Sequence, residues 1–517
     1  EEGSAAMATI TSSTAAHAES AGAPTDVRVA IVGAGFSGLG MAIRLLQQGI
    51  RDFVVLERGA EVGGTWRDNT YPGCACDVPA HLYSFSFAPN PAWSRFYAPQ
   101  PEIWEYMRAC VKRYGLEPYL RLQTDVTGAT WDEDAQRWRL ATSRGPLAAR
   151  ALVFGNGPLS EPSLPAVPGI ETFAGTLFHS AQWDHTHELA GERVAVIGTG
   201  ASAIQFVPRI QPVVGQLALF QRTPPWILPR LDREIPAARR ALYARYPLAQ
   251  RLLRTRMYLE RELRGYALIH RTRLLDTATR MAHDHLARQV PDAALRAKLT
   301  PSYTIGCKRI LLSDDFYPAL TQPNVTLETG GIREVRPHSI VTADGREIPV
   351  DTIICATGFH VTDMPAAASV RGRDGRTLAE AWRQGAPEAY LGTTVVGFPN
   401  LFLQIGPNTG LGHNSMIYMI ESQLNYILGA LRLMERRGLG AVEVRPAVQG
   451  AYNRELQRRL AGSVWNSGCQ SWYLHASGRN SSIWPGQTWE YRRRTRHFDS
   501  AAYVLTPAHA AVGTSRD

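Results

Sequence analysis

The sequence is short of cysteine and has no long apolar run. Its 517 residues include six cysteines with none of the paired spacings of a zinc site, so no metal centre is predicted. Such sparse usage is typical of the reducing cytosol, and we expect a cytoplasmic protein. Because about 18 consecutive apolar residues occur nowhere, no membrane-spanning helix is predicted. The cysteines are Cys74, Cys76, Cys110, Cys307, Cys355 and Cys469.

The first 25 residues also lack the features of a signal peptide. They have neither a positively charged start nor an apolar stretch, and we interpret 1–25 as a disordered lead.

The net charge of +9 is spread along the chain rather than gathered in a basic tail, so an anionic cofactor explains it better than nucleic acid does. A chain of this length is expected to divide into two or three domains.

A glycine-rich turn between a strand and a helix comes first. An apolar run at 27–32 leads into G-A-G-F-S-G at 33–38 and then into a helical pattern, the arrangement that binds a dinucleotide pyrophosphate. Glu57 ends the next apolar run, where a carboxylate accepts ribose hydroxyls and repels a 2′-phosphate. We therefore predict an FAD or NAD site. Its glycine-turn residues are Gly33, Gly35, Phe36, Ser37 and Gly38.

The same signal recurs in the middle of the chain. An apolar run at 194–197 leads into G-T-G-A-S-A at 198–203, and the following strand ends near Arg222. Gly33 and Glu57 are 24 positions apart, as are Gly198 and Arg222, so an arginine is expected in the slot that the acid fills in the first site. A guanidinium there favours the 2′-phosphate of NADPH. The predicted NADPH contacts are Gly198, Thr199, Gly200, Ala201, Ser202, Ala203, Gln205, Arg222 and Thr223.

Between 231 and 299 the sequence changes to Arg- and Leu-rich runs with helical periodicity. These predict a solvated helical insertion, with an interfacial membrane helix as the alternative. The fold class is therefore α/β, with two Rossmann-like dinucleotide-binding domains and an inserted helical subdomain. The expected boundaries are 26–157 and 359–517 for the FAD domain, 158–230 and 301–358 for the NADPH domain, and 231–300 for the insertion.

Two such sites imply hydride transfer from NADPH to flavin, but they leave the final electron acceptor open. A disulfide, a quinone, another protein or O₂ would all fit. Cys74 and Cys76 are separated by a single residue, a spacing that would strain a redox disulfide.

Further motifs carry a resemblance that covers nearly the whole chain, from about 27 to 489. They are F-x-G-x-x-x-H-x-x-x-W-D at 173–184, G-G-T-W at 63–66, Y-P-G-x-x-C-D-x-P at 71–79 and A-T-G-F at 356–359. Together they resemble the type I Baeyer–Villiger monooxygenases, a family of flavin monooxygenases. The C-terminal loop matches less closely, since the family's G-A-N-x-P-G-K is replaced by A-S-G-R-N at 476–480 with a displaced Pro485-Gly486.

The resemblance implies roles for individual residues. Arg309 would be the catalytic cation, oriented by Asp77, and Lys308 would bind the 2′-phosphate of NADPH. Trp472, in the mobile C-terminal loop, would touch NADPH. The flavin contacts would be Gly64, Thr65, Trp66, Asp77 and Tyr83. The residues of the 173–184 motif would form a hinge between the domains rather than a general base: Phe173, Gly175, His179, Trp183 and Asp184.

The resemblance also implies the reaction. In this family NADPH reduces FAD, O₂ adds at flavin C4a, and the resulting peroxide attacks a ketone to give an ester or lactone. A related flavin monooxygenase that hydroxylates amines or oxidises sulfides is the alternative. The expected partners are a small ketone and O₂, with no nucleic acid, no membrane and no obligate protein partner.

Overall fold

The computed structural model describes residues 25–271, 273–383 and 385–509. Apart from Thr25, the lead predicted at 1–25 lies outside these residues. The described strands, in chain order, are Thr25–Val32 (β1), Phe53–Leu56 (β2), Leu120–Arg121 (β3), Val126–Asp132 (β4), Arg137–Thr142 (β5), Leu147–Phe154 (β6), Thr176–His179 (β7), Arg193–Ile197 (β8), Gln216–Phe220 (β9), Ile227–Leu228 (β10), Leu311–Leu312 (β11), Val325–Glu328 (β12), Ile332–Arg336 (β13), Ser339–Thr342 (β14), Glu347–Pro349 (β15), Thr352–Cys355 (β16), Val370–Arg371 (β17), Leu401–Leu403 (β18), Leu439–Val444 (β19) and Tyr503–Pro507 (β20).

Helices alternate with these strands along much of the chain. They are Phe36–Gln47 (α1), Thr65–Asp68 (α2), Gln100–Tyr114 (α3), Ala203–Ile210 (α4), Ala237–Arg245 (α5), Pro247–His270 (α6), Leu274–Gln289 (α7), Ala293–Leu299 (α8), Phe316–Leu320 (α9), Leu378–Trp382 (α10), Met416–Arg436 (α11), Pro446–Ala461 (α12) and Thr488–Arg494 (α13). In the part of the chain that the structure describes, no helix is long and apolar enough to cross a membrane.

The first large sheet is built around β1. Its strands run in the order β17, β4, β5, β6, β1, β2, β3, and β18 also pairs with β6. Strands β2 and β6 flank β1 in parallel, and α1 packs against α3 and α11. The central strands are buried along most of their length, which explains why their sequences are continuous apolar runs rather than alternating ones.

The second large sheet has the order β12, β9, β8, β16, β7, and every pairing in it is parallel. Its edge strand β7 comes from the 173–184 stretch, which therefore contributes a strand to the sheet as well as connecting the two sheets. The predicted α/β class with two Rossmann-like units is confirmed.

The chain leaves the second unit for the helical insertion and returns to it at the same place. Strands β10 and β11 pair in parallel, and α5 to α8 lie between them in the chain. The insertion is therefore a long excursion whose two ends are held together by a short ladder. The longest of its helices, α6, packs over the first unit through contacts described below.

Asn400 connects strand β6 of the first sheet with strand β19 in the C-terminal part of the chain. Its side-chain amide donates to the carbonyl oxygens of Arg150 and Gly440 at 2.8 Å each, and its side-chain oxygen accepts the N–H of Val442 at 2.8 Å. The residue is 1% exposed, so these bonds replace water that cannot reach the site. Its φ of +55° is also one that asparagine tolerates better than most residues.

Replacing this side chain should destabilise the fold. In Asn400→Ala three polar groups lose their partners and alanine must hold a left-handed backbone, so we expect the apparent melting temperature to fall by about 2–5 °C. Thermal unfolding followed by circular dichroism measures the change. Asn425→Ala, on the half-buried side of α11, is the control and should melt within about 1 °C of the parent. Equal melting temperatures for the two variants would contradict the prediction.

Candidate active site

The first glycine turn lies between β1 and α1 at the centre of the first sheet. Gly33 has φ +94°, and a Cβ there would stand 2.8 Å from the carbonyl oxygen of Gly155. A Cβ on Gly38 would collide with the carbonyl oxygen of Gly33. Helix α1 begins after Gly35 with no capping side chain and no acidic residue in its first turn, which includes Phe36 and Ser37. Such an uncapped N-terminus suits a pyrophosphate.

Glu57 stands beside this turn at the end of β2. It is 5% exposed, and its carboxylate accepts the N–H groups of Ala34 and Gly59 at 2.8 Å each. Arg67 adds a third bond, from Nη1 to Oε1, at 2.7 Å. The carboxylate is therefore fixed in place, and its remaining lone pairs can accept ribose hydroxyls.

An aromatic group continues the site on the side predicted for the flavin. Trp66 donates from Nε1 to the Tyr83 hydroxyl at 3.1 Å, and the Tyr83 ring meets the edge of Phe36 at 5.4 Å. Gly64 has φ +51° and caps α2, which begins at Thr65. A Cβ on Gly64 would lie 3.2 Å from the Cα of Gly35, so this loop packs directly on the first glycine turn. These predicted contacts are brought together.

The second glycine turn follows β8. Gly198 has φ +108°, and a Cβ there would meet the carbonyl oxygen of Ala356 at 2.5 Å. A Cβ on Gly200 would meet no heavy atom within 4 Å, which leaves room for a ligand to approach the backbone. Helix α4 begins after Ser202 without a capping side chain or an acidic first turn. Of the other predicted contacts, Ala201 is exposed, Ala203 is buried, and Thr199 donates to the carbonyl oxygen of Thr223 at 3.4 Å.

Gln205 contacts the other unit. Its side-chain oxygen accepts the Tyr71 hydroxyl at 3.1 Å, and its amide donates to the carbonyl oxygen of Ala75 at 3.0 Å. Gln205, which the sequence predicts to contact NADPH, thus connects α4 to the 71–77 loop of the first unit in this structure.

The equal spacing of 24 residues matched Arg222 with Glu57, but the two residues do not hold equivalent positions in the structure. The N–H of Gly33 donates to Leu56, whereas that of Gly198 donates to Phe220. The residue that follows the acceptor is Glu57 in the first unit and Gln221 in the second. Arg222 therefore lies one position further along, because the path from turn to strand end is one residue shorter in the second unit.

Gln221 and Arg222 also differ in their surroundings. Gln221 is 3% exposed and donates to the carbonyl oxygen of Lys298 at 2.8 Å, whereas Arg222 is exposed. The Lys308 ammonium lies over the Tyr303 ring, 5.0 Å from its centroid. Burial, with a further contribution from the charge of Arg222, lowers the pKa of Lys308. These two neighbouring cations could both contact one phosphate.

Asp77 and Arg309 form a bidentate ion pair between the two units. Arg309 Nε donates to Asp77 Oδ2 at 2.9 Å, and Nη2 donates to Oδ1 at 2.7 Å and to Oδ2 at 2.6 Å. The charge of Asp77 raises the pKa of Arg309. Burial opposes ionisation of Asp77, but the charge and hydrogen bonds of Arg309 outweigh it and lower the pKa of Asp77. Both groups are therefore charged at neutral pH.

The 173–184 residues lie at the edge of the second sheet. His179 is 2% exposed, and its Nδ1 accepts the N–H of Ala181 at 3.1 Å. Burial lowers the pKa of His179, which favours a neutral ring. Trp183 packs on Phe178, and Asp184 accepts the N–H and hydroxyl of Thr186 at 2.9 and 2.7 Å. A Cβ on Gly175 would overlap the ring of Phe173 and the carbonyl oxygen of Asp351.

Trp472 is 48% exposed, with its ring against that of Tyr473 at 4.4 Å. It is the next residue, Tyr473, that is buried at 1% exposure. The structure thus does not bring Trp472 into the interior, and the sequence prediction overlooked Tyr473.

Sequence reasoning also missed the inner face of α6. Arg254 donates to the carbonyl oxygen of His81 at 2.6 Å and to the Ser84 hydroxyl at 3.2 Å, and Gln250 bonds His81 Nδ1 at 3.0 Å. Burial, with a further contribution from the charge of Arg254, lowers the pKa of His81 to about 4. Burial lowers the pKa of Arg261, which lies close enough to Asp77 to interact with its charge. The positions 250, 254 and 261 share one helical face, a spacing that was available as a signal.

Cys307 and Cys469 form a disulfide across 162 positions, with their Cα atoms 6.2 Å apart. This pairing was not predicted from the sequence, because a disulfide was considered only for Cys74 and Cys76, which are free in the structure. Spacing along the chain carries no signal for it, since the two residues meet only after the C-terminal segment has packed on the helical insertion. Among the described residues, no cluster of three or more His, Cys, Asp or Glu could hold a metal ion.

Two uncapped glycine turns, an acid beside one, cations beside the other, and an ion pair between them define a flavoprotein with a separate dinucleotide site. Residues 26–367 match the family model "FMO-like: Flavin-binding monooxygenase-like". The chain is 54% identical to a Baeyer–Villiger monooxygenase of Streptomyces coelicolor over 490 residues, covering 94% of each protein. The chain belongs to the Baeyer–Villiger monooxygenases within this flavin-binding family.

Solved structures agree with this assignment. Cyclohexanone monooxygenase from Rhodococcus sp. Phi1, bound to NADP+, superposes with a TM-score of 0.83 at 28% identity, covering 94% of this chain and 100% of that one. The complex of OTEMO with FAD and NADP gives a TM-score of 0.84 at 26% identity, with coverage of 93% and 99%. The predicted family and cofactor pair, FAD and NADPH, are confirmed.

The Arg222 and Lys308 geometry predicts the coenzyme preference. If Arg222 binds the 2′-phosphate as expected, Arg222→Gln removes a charge-assisted contact, and the ratio of kcat/KM for NADPH over NADH should fall by about 10- to 100-fold. Steady-state kinetics with both coenzymes measures the ratio. Arg209→Gln, an equal charge loss on α4 in a residue paired with Asp315, is the control and should leave the ratio unchanged. An unchanged ratio in Arg222→Gln would mean that another group binds the phosphate.

Proposed function

We propose that this enzyme uses NADPH and O₂ to insert one oxygen atom beside a ketone carbonyl, giving an ester or a lactone. The observation that carries the proposal is the Asp77–Arg309 pair, a fixed cation between the two nucleotide-binding units. The relatives named above, a Baeyer–Villiger monooxygenase and cyclohexanone monooxygenase, support the same reaction.

The proposed cofactor sites follow from the two glycine turns. FAD is held by the turn after β1, with its ribose at Glu57 and its flavin toward Trp66 and Tyr83. NADPH is held by the turn after β8, with its 2′-phosphate at Arg222 and Lys308. The proposed domain boundaries are those expected from the sequence: 26–157 with 359–517 for FAD, 158–230 with 301–358 for NADPH, and 231–300 for the insertion.

FAD supplies hydride acceptance from NADPH and the activation of O₂ for transfer of one oxygen atom. The residues of the chain then decide where that transfer occurs. Arg309 holds a permanent positive charge where negative charge develops on the ketone oxygen as the new bond forms, and a preorganised cation stabilises that charge without reorganisation. Asp77 fixes the guanidinium plane through its two carboxylate oxygens.

The 173–184 stretch is proposed as a joint between the two units rather than as part of the chemistry. His179 is neutral, buried and held by the backbone of Ala181, which suits a structural residue better than a proton carrier. Trp472, which is exposed in this structure, remains a proposed NADPH contact.

The substrate class separates the proposal from its nearest alternative. Purified enzyme incubated with NADPH, air and a panel of cyclic, linear and aryl ketones, a sulfide and an amine should yield an ester or lactone. Gas chromatography with mass detection identifies the product. Exclusive N-hydroxylation or sulfoxidation, with no ester from any ketone, would instead assign the related hydroxylase activity.

Arg309 should be required for oxygen transfer more than for reduction. In Arg309→Ala we expect NADPH consumption to continue while the ester formed per NADPH falls by at least about 100-fold, because the charge that stabilises the adduct is gone. Product analysis and a peroxidase assay for H₂O₂ measure the two outcomes. The control is Arg256→Ala, which replaces an exposed arginine on α6 that is paired with Glu260. It should form as much ester per NADPH as the parent enzyme. Normal ester yield in Arg309→Ala would refute the role.

We also propose that the enzyme is cytoplasmic and acts on a small-molecule ketone with O₂, requiring no nucleic acid, membrane or protein partner for turnover. The dispersed positive charge supports the absence of a nucleic-acid surface.

A further inference from the structure

The disulfide between Cys307 and Cys469 connects two segments that have different tasks in the proposed mechanism. Cys307 is fully buried and directly precedes Lys308 and Arg309. Cys469 lies near the start of the C-terminal segment that carries Trp472 and Tyr473. The other four cysteines are free and buried, so the bond is specific to these two positions.

The C-terminal segment 467–479 lies on the surface and contacts the interior through few side chains. Its buried residues are Cys469, at 8% exposure, and Tyr473, at 1%. Every other residue between 467 and 479 is exposed or half-buried. Beyond this segment the chain is held again by Asn408, whose amide donates to the carbonyl oxygens of Asn480 and Ile483 at 2.8 and 3.0 Å. The disulfide and the Tyr473 ring are therefore the two buried attachments of 467–479, and a half-buried ion pair between Arg479 and Glu388 holds its C-terminal end.

Tyr473 faces the catalytic pair. Its ring belongs to a buried cluster with Trp226, Ile305 and Val464, and its hydroxyl has no hydrogen-bond partner among the described residues. The charges of both Arg309 and Asp77 act on the hydroxyl, and burial raises the pKa of Tyr473 to about 12. It is thus a protonated donor near the Arg309 guanidinium. A buried hydroxyl without a partner is costly unless a ligand accepts its hydrogen.

We propose that the Cys307–Cys469 disulfide is a positioning clamp for this site. It attaches segment 467–479 to the chain just before Arg309. The Tyr473 hydroxyl is thereby held where it donates a hydrogen bond to the bound coenzyme or ketone. Reduction of the bond releases the segment and withdraws Tyr473, so that less of the consumed NADPH yields ester. The effect on coupling rests on the proposed function, whereas the clamp itself does not.

The release step is an ordinary dithiol exchange. A thiolate of the reductant attacks Sγ of Cys469, which is the less buried of the two residues, and Cys307 leaves as a thiolate that takes up a proton. The second thiol of the reductant then displaces Cys469 from the mixed disulfide. Two electrons pass from the dithiol to the protein, which ends with two thiols, and the reductant ends as its own disulfide.

The clamp can be tested on the FAD-loaded enzyme without any ketone. Peptide mapping under non-reducing conditions should find the Cys307 and Cys469 peptides linked, and dithiothreitol should separate them. Chymotrypsin cleavage after Trp472 or Tyr473 should become about tenfold faster in the reduced enzyme, because cleavage needs a segment that opens. Free thiols at both positions in air-oxidised protein, or cleavage at the same rate in both states, would overturn the proposal.

Matched variants separate the clamp from a general effect of reductant. Cys469→Ser should resemble the reduced enzyme in cleavage rate and should not respond to dithiothreitol. Cys355→Ser, which removes a free buried thiol from β16, should retain the full response. If Cys469→Ser fails to fold, the response of Cys355→Ser and of the parent still decides the question. A response that disappears in Cys355→Ser would contradict the assignment.

The coupling, that is, the ester formed per NADPH consumed, tests the role of Tyr473 itself. Tyr473→Phe should keep the disulfide and the slow cleavage, yet lose about tenfold in ester formed per NADPH, because only the donor is removed. Unchanged coupling in Tyr473→Phe would overturn the role of the hydroxyl. Absence of ester from every form, the parent included, would contradict the proposed function, while peptide mapping and proteolysis would still decide the clamp.

Discussion

The ion pair between Asp77 and Arg309 is the interaction on which the rest of the site depends. Asp77 lies in a loop of the first unit and Arg309 in the segment that re-enters the second, so the pair fixes one unit against the other. Two further residues of the second unit hold the same loop: Gln205 bonds Tyr71 and Ala75, and Arg230 donates to the carbonyl oxygen of Cys76 at 3.3 Å. Because the two charges are partly withdrawn from water, separating them would leave each poorly compensated.

The two units share one design but use it for different ligands. In both, a glycine of positive φ ends the first strand, its N–H bonds the end of the neighbouring strand, and an uncapped helix follows. The residue after that neighbouring strand then differs. In the first unit it is the fixed carboxylate of Glu57, whereas in the second it is the neutral Gln221, with Arg222 one position further out. The second site therefore presents its positive charge at the surface, beside Lys308, rather than within the turn.

The helical insertion contacts the first unit beside the Asp77–Arg309 pair. Its helix α6 places Arg254 against the His81 loop and brings Arg261 near Asp77, while Glu262 accepts the Asn414 amide at 2.6 Å and the Thr488 hydroxyl at 2.6 Å. One helix thus contacts the N-terminal and C-terminal shares of the first unit. Its inner face is polar because it packs against loops whose carbonyl groups need hydrogen-bond donors, rather than against an apolar sheet.

Much of the fold could be predicted because its signals are local. The glycine turns, the buried strands and the run of helices at 231–299 each follow from residues close together in sequence, and all three appear in the structure. Gln205 could not be assigned in this way, since its partners Tyr71 and Ala75 lie about 130 positions away. Counting positions also failed at Arg222, because a one-residue difference in a connecting path changes which residue meets the turn.

The sequence alone determined the two strand, glycine turn and helix units, the acid beside the first, and the motifs that identify the family. These depend on backbone conformation and short-range order, which a few neighbouring residues dictate. Only the tertiary structure decided that Gln221 takes the position of Glu57, that Arg261 of α6 lies near Asp77, and that Cys307 is bonded to Cys469. Each of these is a pairing between distant segments, and the packing of the whole chain selects such pairings.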